Sequence, residues 1–144
     1  MSRVQLALNV SDLDEAISFY TKLFGTGPAK VRPGYANFAV AEPPLKLVLI
    51  EGASTPGSLN HLGVEVESTR EVATAASAFE VAGLATSAEE ETTCCYALQD
   101  KVWVKGPDGM HWEVYTVLAD ADGVGLAGDE RCCTTAAGTT VSAA

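Results

Sequence analysis

The feature that most constrains the fold of this chain is an internal repeat. Residues 4–10 (VQLALNV) and 60–66 (NHLGVEV) are apolar, strand-forming segments that align without a gap and set Gln5 over His61. Behind each segment come a helix-capping residue, an apolar pattern at helical spacing and a terminating glycine. Each half then offers three more short strands, so the sequence predicts a β-α-β-β-β unit twice over. Two such units indicate a compact pseudo-symmetric α+β domain rather than an extended repeat array.

Local sequence signals set the predicted boundaries of the two units. The first unit spans about residues 3–51, with predicted strands at 4–10, 30–32, 35–40 and 45–51. The second unit spans about residues 59–117, with predicted strands at 60–66, 85–90, 98–104 and 110–117. The predicted helices begin at the N-caps Ser11 and Ser68 and end at Gly25 and Gly83. Beyond residue 118 the chain is rich in Ala, Gly, Thr and Asp without a period, so we expect a domain at residues 1–118 and a flexible, cysteine-containing tail at 119–144.

Charge and hydropathy exclude several classes of partner. A formal net charge of −10 argues against nucleic acid and against anionic membrane surfaces, because both attract basic patches. No apolar run approaches the roughly 20 residues of a membrane-spanning helix, and the first residues lack the apolar core of a secretion signal. We therefore expect a cytoplasmic protein whose partners are small molecules. The sequence leaves both a monomer and a homodimer open.

Gln5, His61 and Glu113 are polar side chains in largely apolar predicted strands. Gln5 and His61 occupy equivalent positions of the repeat, so they face each other across a pseudo-twofold axis if both point to the concave side of the sheet. Glu113 lies among large apolar residues, and a buried carboxylate needs a partner or a metal ion. An amide oxygen, an imidazole and a carboxylate come close to the set of two histidines and one carboxylate that holds Fe(II) with open positions.

Other interpretations of these residues are open at this point. A histidine in a strand is often a hydrogen-bonded core residue, and Glu113 faces solvent if the last strand alternates the other way. His111 lies two residues before Glu113 and is an alternative ligand on the same face. The first-unit segment that matches the Glu113 strand, residues 45–50 (LKLVLI), holds no His, Asp or Glu. A metal site here would therefore have three protein ligands, and by ligand type it suits Mn, Co, Ni or Zn as well as Fe.

The four cysteines form two adjacent pairs, Cys94 with Cys95 and Cys132 with Cys133. Neighbouring Cα atoms lie about 3.8 Å apart, below the usual disulfide range of about 4.4–6.8 Å. In a reducing compartment we therefore expect thiols rather than a disulfide framework. Thiolates are soft ligands that suit trivalent arsenic or cadmium. Neighbours on a strand point to opposite faces, so both sulfurs of a pair can bind one atom only if the backbone leaves regular strand geometry, for example in a loop.

Several motifs of this chain resemble one protein superfamily. The doubled β-α-β-β-β pattern, with Gln5 and His61 in matching strands and Glu113 in the last, resembles the vicinal oxygen chelate fold. That resemblance implies two modules that form a curved mixed sheet around a metal site. The segments TTCCYALQDKVWV and GPDGMHWEVY, together with PGYANFAV, PPLKLVLIE and NHLGVEV, are similar to a narrower family, the organoarsenical carbon–arsenic lyases and cadmium-induced proteins. The resemblance covers roughly residues 3–118.

The resemblance implies an activity and a role for each candidate residue. It implies Fe(II) ligands at Gln5, His61 and Glu113, and arsenic-binding thiols at Cys94 and Cys95. The implied reaction is the oxidative cleavage, with dioxygen, of the carbon–arsenic bond of a trivalent organoarsenical such as methylarsenite or a reduced aromatic arsenical. Inorganic arsenite would be the product.

Two competing functions follow from the same residues. The first is a non-catalytic protein that sequesters cadmium or arsenite through the same thiols, with Cys132 and Cys133 as accessory thiols. The second is an ordinary glyoxalase-type or antibiotic-binding protein. The missing fourth ligand speaks against a glyoxalase, and neither role in the second class explains the cysteine pairs.

Overall fold

The structure, a computed structural model, describes residues 2–94 and 96–121. Its strands are β1 (Arg3–Val10), β2 (Lys30–Arg32), β3 (Tyr35–Val40), β4 (Leu45–Glu51), β5 (Leu59–Glu65), β6 (Thr86–Cys94), β7 (Ala97–Lys105) and β8 (His111–Asp120). The helices are α1 (Leu13–Phe24) and α2 (Thr69–Val81), and a short 3-10 turn (Pro107–Gly109) precedes β8. The described strands form one sheet in the order β2-β3-β4-β1-β5-β8-β7-β6.

The order of the strands is symmetric about the β1–β5 pair. These two strands run antiparallel, and Leu6 pairs with Leu62 at the centre. On either side, β4 is parallel to β1 and β8 is parallel to β5. The two modules are therefore related by a pseudo-twofold axis between β1 and β5, and Gln5 is the equivalent of His61. The predicted doubled module and curved mixed sheet are confirmed.

Helix α1 covers the convex face of the first module. Its apolar residues recur every three or four positions, and they pack on outward-facing side chains of β1, β3 and β4. Phe38 and Leu49 are fully buried in this layer. The opposite, concave face of the same strands carries Ala7, Val48 and Ile50, which form a second apolar cluster with Tyr96 from the β6–β7 turn.

Local differences from the predicted boundaries have simple causes. Asp12, not Ser11, is the N-cap of α1, because its carboxylate accepts the backbone N–H of Glu15. Strand β6 continues to Cys94 rather than ending near residue 90, because Thr92 and Thr93 pair with β7 after a bulge. The region before the cysteine pair is thus a strand and not a loop.

Two further predictions concern the chain ends and membranes. Strand β8 continues to Asp120 by pairing with β7. The rest of the predicted tail, residues 122–144, lies outside the described residues. Neither α1 nor α2, the helices of the described part, combines the length and apolarity that a membrane span requires.

Truncating the convex core should cost far more stability than truncating an exposed ring of the same type. Phe38→Ala removes a fully buried side chain, so we expect the free energy of unfolding to fall by about 3–5 kcal/mol. Phe19 is 57% exposed on α1, so Phe19→Ala should cost less than about 1 kcal/mol. Urea unfolding followed by circular dichroism measures both. Equal losses would contradict the described packing.

Candidate metal centre and thiol hairpin

The three polar side chains predicted as ligands converge on the concave face beside the pseudo-twofold axis. The His61 Nε2 atom lies 2.7 Å from Glu113 Oε2. The Gln5 Nε2 atom lies 3.3 Å from each of these two atoms. All three side chains are buried. Strand register explains the meeting, because Gly63 pairs with Gln5 on one side and with Glu113 on the other.

A chain of hydrogen bonds fixes the tautomer of His61. The Thr55 carbonyl can only accept, so the Ser58 hydroxyl donates to it. Ser58 Oγ then accepts from the Asn9 amide at 2.9 Å, and Asn9 Oδ1 accepts from Asn60 Nδ2 at 3.0 Å. The remaining oxygen, Asn60 Oδ1, lies 2.7 Å from His61 Nδ1. That ring nitrogen therefore carries a proton, and Nε2, which faces Gln5 and Glu113, is the ring nitrogen placed to bind a metal ion.

The Glu113 carboxylate is ionised although it is fully buried. Burial alone would raise its pKa, but Lys101 and the contact with His61 outweigh burial and lower the pKa to about 2. Lys101 Nζ donates to Oε1 at 3.0 Å and is itself 1% exposed. One carboxylate oxygen is thus held by a cation, and the other, Oε2, faces His61.

This arrangement fits a divalent metal ion. Metal–ligand bonds of about 2.1 Å at right angles separate neighbouring donors by about 3.0 Å. The three facing atoms, Gln5 Nε2, His61 Nε2 and Glu113 Oε2, form a triangle with edges of 3.3, 3.3 and 2.7 Å. Turning the Gln5 amide over would put its oxygen, the atom that can bind a cation, at the first corner. Among the described residues no three His, Cys, Asp or Glu side chains form a metal site, so an ion here depends on the Gln5 amide. Val48 is the pseudo-twofold equivalent of Glu113, which explains why a fourth ligand is missing.

Gly63 makes room for this cluster. A Cβ atom at this position would lie 2.9 Å from Glu113 Cγ and 3.1 Å from Gln5 Nε2. Both contacts are tighter than ordinary packing allows. Any larger residue would therefore push the amide and the carboxylate apart.

A second hydrogen-bonded group supports the Gln5 amide from behind. The Tyr115 hydroxyl lies 2.5 Å from Gln5 Oε1 and 3.2 Å from Glu65 Oε2. Lys46 donates to Glu65 Oε2 at 2.9 Å, and Arg3 Nη2 lies 2.7 Å from Oε1. Partial burial would raise the pKa of Glu65, but these two cations lower it. Burial and the nearby carboxylates raise the pKa of Tyr115, so its hydroxyl keeps its proton.

Cys94 lies at the end of the β6–β7 hairpin. It is the last residue of β6 and pairs with Ala97, the first residue of β7. Tyr96, which precedes Ala97, has a φ of 62° and lies outside strand geometry. Cys94 is 1% exposed and disulfide-bonded, contrary to the expectation of thiols. Its partner sulfur lies outside the described residues.

Tyr96 and Gln99 attach this hairpin to the rest of the domain. The Tyr96 ring packs against Tyr35 on the concave face, and its hydroxyl donates to the Pro33 carbonyl at 3.0 Å. Lys30 Nζ donates to the Tyr96 carbonyl at 3.0 Å. Gln99 Nε2 donates to the Cys94 carbonyl at 2.9 Å. Cys95, Cys132 and Cys133 lie outside the described residues.

A cavity of about 220 Å³ adjoins this region. Its wall includes Arg3, Lys46 and Glu65 on one side and Ala97 of the hairpin on another. Glu65 connects it to the metal-facing amide through the Tyr115 hydroxyl. The cavity is thus bounded by the hairpin and by Glu65, which is two hydrogen bonds away from the candidate ligand Gln5.

Sequence reasoning found the three converging side chains and missed their supports. Lys101 and Tyr115 are the buried partners of Glu113 and Gln5. A lysine directly before the apolar run VWV of a predicted strand was the available signal for Lys101. His111, the alternative ligand, lies with its ring 6.2 Å from that of Trp103, and it is not part of the triangle.

Enlarging Gly63 should impair metal binding more than it impairs folding. Gly63→Ala forces the Glu113 side chain and the Gln5 amide apart, so we expect Co(II) affinity to fall by about tenfold or more. Gly27 has open space around its Cα and no positive φ, so Gly27→Ala is the matched control. Titration followed by the visible Co(II) bands measures both. Unchanged affinity in Gly63→Ala would contradict the site.

Comparisons with known proteins agree with this description. Residues 3–114 match the profile of the Glyoxalase/Bleomycin resistance protein/Dioxygenase superfamily. The chain is 65% identical over 135 residues to a trivalent organoarsenical cleaving enzyme of Thermomonospora curvata, covering 93% of this chain and 89% of that protein. It is 62% identical over 125 residues to the cadmium-induced protein CadI of Mycobacterium tuberculosis, covering 87% and 82% of the two chains.

Solved structures share the fold at low sequence identity. The Mn(II)-bound glyoxalase of Novosphingobium aromaticivorans superposes with a TM-score of 0.58 at 20% identity, over 84% of this chain and 42% of that one. Homoprotocatechuate 2,3-dioxygenase of Arthrobacter globiformis gives a TM-score of 0.58 at 20% identity, over 81% and 36%. With its doubled module, its central cluster and these relatives, the chain belongs to the glyoxalase/bleomycin resistance protein/dioxygenase superfamily.

Proposed function

We propose that this protein is an enzyme that cleaves the carbon–arsenic bond of trivalent organoarsenicals, with Fe(II) and dioxygen, and releases arsenite. Methylarsenite and reduced aromatic arsenicals are the proposed substrates, and detoxification of arsenic is the proposed role. The observation that carries the proposal is the buried triangle of Gln5, His61 and Glu113 on the concave face. Tyr96 of the β6–β7 hairpin shares an apolar cluster with Ala7 and Val48 on that face. The 65% identity to a trivalent organoarsenical cleaving enzyme supports the choice of substrate.

The proposed roles divide the two chemistries between two groups of residues. Gln5, His61 and Glu113 hold the iron, which supplies the redox chemistry that dioxygen needs. Lys101 keeps Glu113 ionised so that one oxygen is available as a ligand. The cavity beside Ala97 offers space for the organic group of the substrate.

Cys94 and Cys95 are the proposed arsenic ligands. Two thiols condense with the two hydroxyls of methylarsenite and release two waters, which leaves arsenic held by both sulfurs. Holding the arsenic in this way removes its translational freedom close to the oxidant. Because Cys94 is disulfide-bonded in this structure, the disulfide must be reduced by an external thiol before arsenic binds. Cys132 and Cys133 are proposed only as accessory thiols.

The direct test is an assay on reduced, Fe(II)-loaded protein with methylarsenite under anaerobic conditions, started by adding oxygen. We expect arsenite, measured by chromatography with mass-spectrometric detection of arsenic, only when iron, reductant and oxygen are all present. Folded protein with bound iron that forms no arsenite from methylarsenite or phenylarsenite would contradict the proposal.

Two variants separate the two groups of residues. Glu113→Ala should abolish arsenite formation and weaken iron binding while the reduced protein still binds the arsenical. Cys94→Ser should weaken arsenical binding while iron still binds. Glu80→Ala, at an exposed position of α2, is the control and should retain full activity. Loss of both kinds of binding in either variant, with the fold intact, would contradict the division.

A second function, sequestration of cadmium or arsenite without catalysis, is favoured by the 62% identity to a cadmium-induced protein. It predicts that tight cadmium binding survives replacement of Gln5, His61 and Glu113 by alanine and is lost with the cysteines. We expect instead that the triple variant loses activity whatever its cadmium affinity. The arsenite assay distinguishes the two functions, because a sequestering protein forms no arsenite even without substitutions, and isothermal titration with Cd(II) shows separately whether cadmium binding depends on the cysteines.

A further inference from the structure

The Gln5 amide presents its nitrogen to the place where a metal ion would bind. Nε2 faces His61 Nε2 and Glu113 Oε2, each at 3.3 Å, whereas Oε1 lies on the far side, 2.5 Å from the Tyr115 hydroxyl. An amide NH2 group is a donor and has no lone pair to offer a cation. Gln5 can therefore serve as a ligand only after its amide turns over and brings Oε1 to the inner side.

The Tyr115 hydroxyl can accommodate either orientation of this amide. It has one proton and two acceptors in reach, Gln5 Oε1 at 2.5 Å and Glu65 Oε2 at 3.2 Å. With Oε1 outward, Tyr115 donates to Gln5. With the amide turned over, Gln5 Nε2 donates to the Tyr115 oxygen, and the Tyr115 hydroxyl donates its hydrogen bond to Glu65 Oε2 instead. The second arrangement is thus fully hydrogen-bonded as well.

The Glu65 carboxylate is held in place to accept that hydrogen bond from Tyr115. Lys46 donates to its Oε2 at 2.9 Å, and Arg3 contacts its Oε1 through two nitrogens at 2.7 and 2.9 Å. Because Lys46 and Arg3 keep the carboxylate charged and fixed, Glu65 can accept a hydrogen bond from the Tyr115 hydroxyl in either orientation of the Gln5 amide. This group reaches Gln5 at Oε1, through Tyr115, whereas Glu113 contacts Gln5 Nε2.

We propose that Tyr115 and Glu65 form a hydrogen-bond switch that turns the Gln5 amide oxygen toward a bound divalent metal ion. They act as positioning residues: neither touches the metal, and both set the orientation of one of its ligands. The inference concerns metal binding and holds whether or not the protein cleaves organoarsenicals.

The test compares Co(II) affinity in four variants of the full chain. Tyr115→Phe removes the oxygen that accepts from Gln5 Nε2 when Gln5 Oε1 faces the metal. Co(II) affinity should therefore fall by about 10- to 100-fold, the usual cost of losing a hydrogen-bond partner of a metal ligand. Tyr35→Phe is the matched control, since Tyr35 is also a buried tyrosine of the concave face and bonds Asn37 instead; its affinity should equal that of the unmodified protein.

The Gln5→Glu variant shows whether Tyr115 acts by orienting the side chain at position 5 or only by packing. A carboxylate presents an oxygen in either orientation, so adding Tyr115→Phe to Gln5→Glu should change Co(II) affinity far less than it does beside Gln5. Equal losses in both backgrounds would mean that Tyr115 acts only through packing and would overturn the switch. So would Tyr115→Phe protein that binds Co(II) as tightly as the unmodified chain.

A measurement on the unmodified protein covers the case in which a variant does not fold. With 15N-labelled glutamine side chains, the Gln5 amide protons should show nuclear Overhauser contacts to the His61 ring without metal and to the Tyr115 ring after Zn(II) is added. Contacts that do not change on Zn(II) binding would overturn the switch. Protein that binds neither Zn(II) nor Co(II) would overturn the switch and the metal site together, whereas a failure of the arsenite assay alone would leave this result standing.

Discussion

The antiparallel pairing of β1 with β5 about Leu6 and Leu62 is the constraint on which the rest of the structure depends. It makes Gln5 and His61 symmetry equivalents on one face and sets Gly63 between Gln5 and the Glu113 strand. A register shift of one residue would turn every side chain of a strand to the opposite face and would separate the cluster. The residues of β1 that point to the convex face pack against α1. The alternation of side chains along this strand therefore determines both the convex core and the concave site.

Buried charge explains why the cluster is more than a set of polar residues in a core. A fully buried carboxylate is costly unless it is compensated, and Lys101 and His61 compensate Glu113. The hydrogen bonds among Ser58, Asn9 and Asn60 hold the His61 ring with its Nδ1 proton directed at Asn60. An apolar core would need none of these groups, so their presence is best explained by a site whose donor atoms must be held in a defined arrangement.

The repeat, the order of the elements along the chain and the three candidate side chains could be predicted from sequence because each leaves a local pattern: alternation, capping or a polar residue in a largely apolar strand. Lys101, Gly63 and Tyr115 could not, because their roles depend on pairing between strands distant in the chain. The N-cap at Asp12 and the extension of β6 to Cys94 differ from prediction because a side chain and a partner strand compete with local propensity. The disulfide at Cys94 was not expected, since the sequence predicted thiols.

The central claim is that metal and arsenic have separate sites, oxygen and nitrogen ligands for the first and sulfur for the second. X-ray absorption at the iron edge of reduced, Fe(II)-loaded protein tests it most directly. The account predicts a first shell of nitrogen and oxygen scatterers at about 2.0–2.2 Å with an imidazole contribution, unchanged when Cys94 and Cys95 are replaced by serine. A sulfur scatterer at about 2.3 Å that disappears in the serine variant would contradict it.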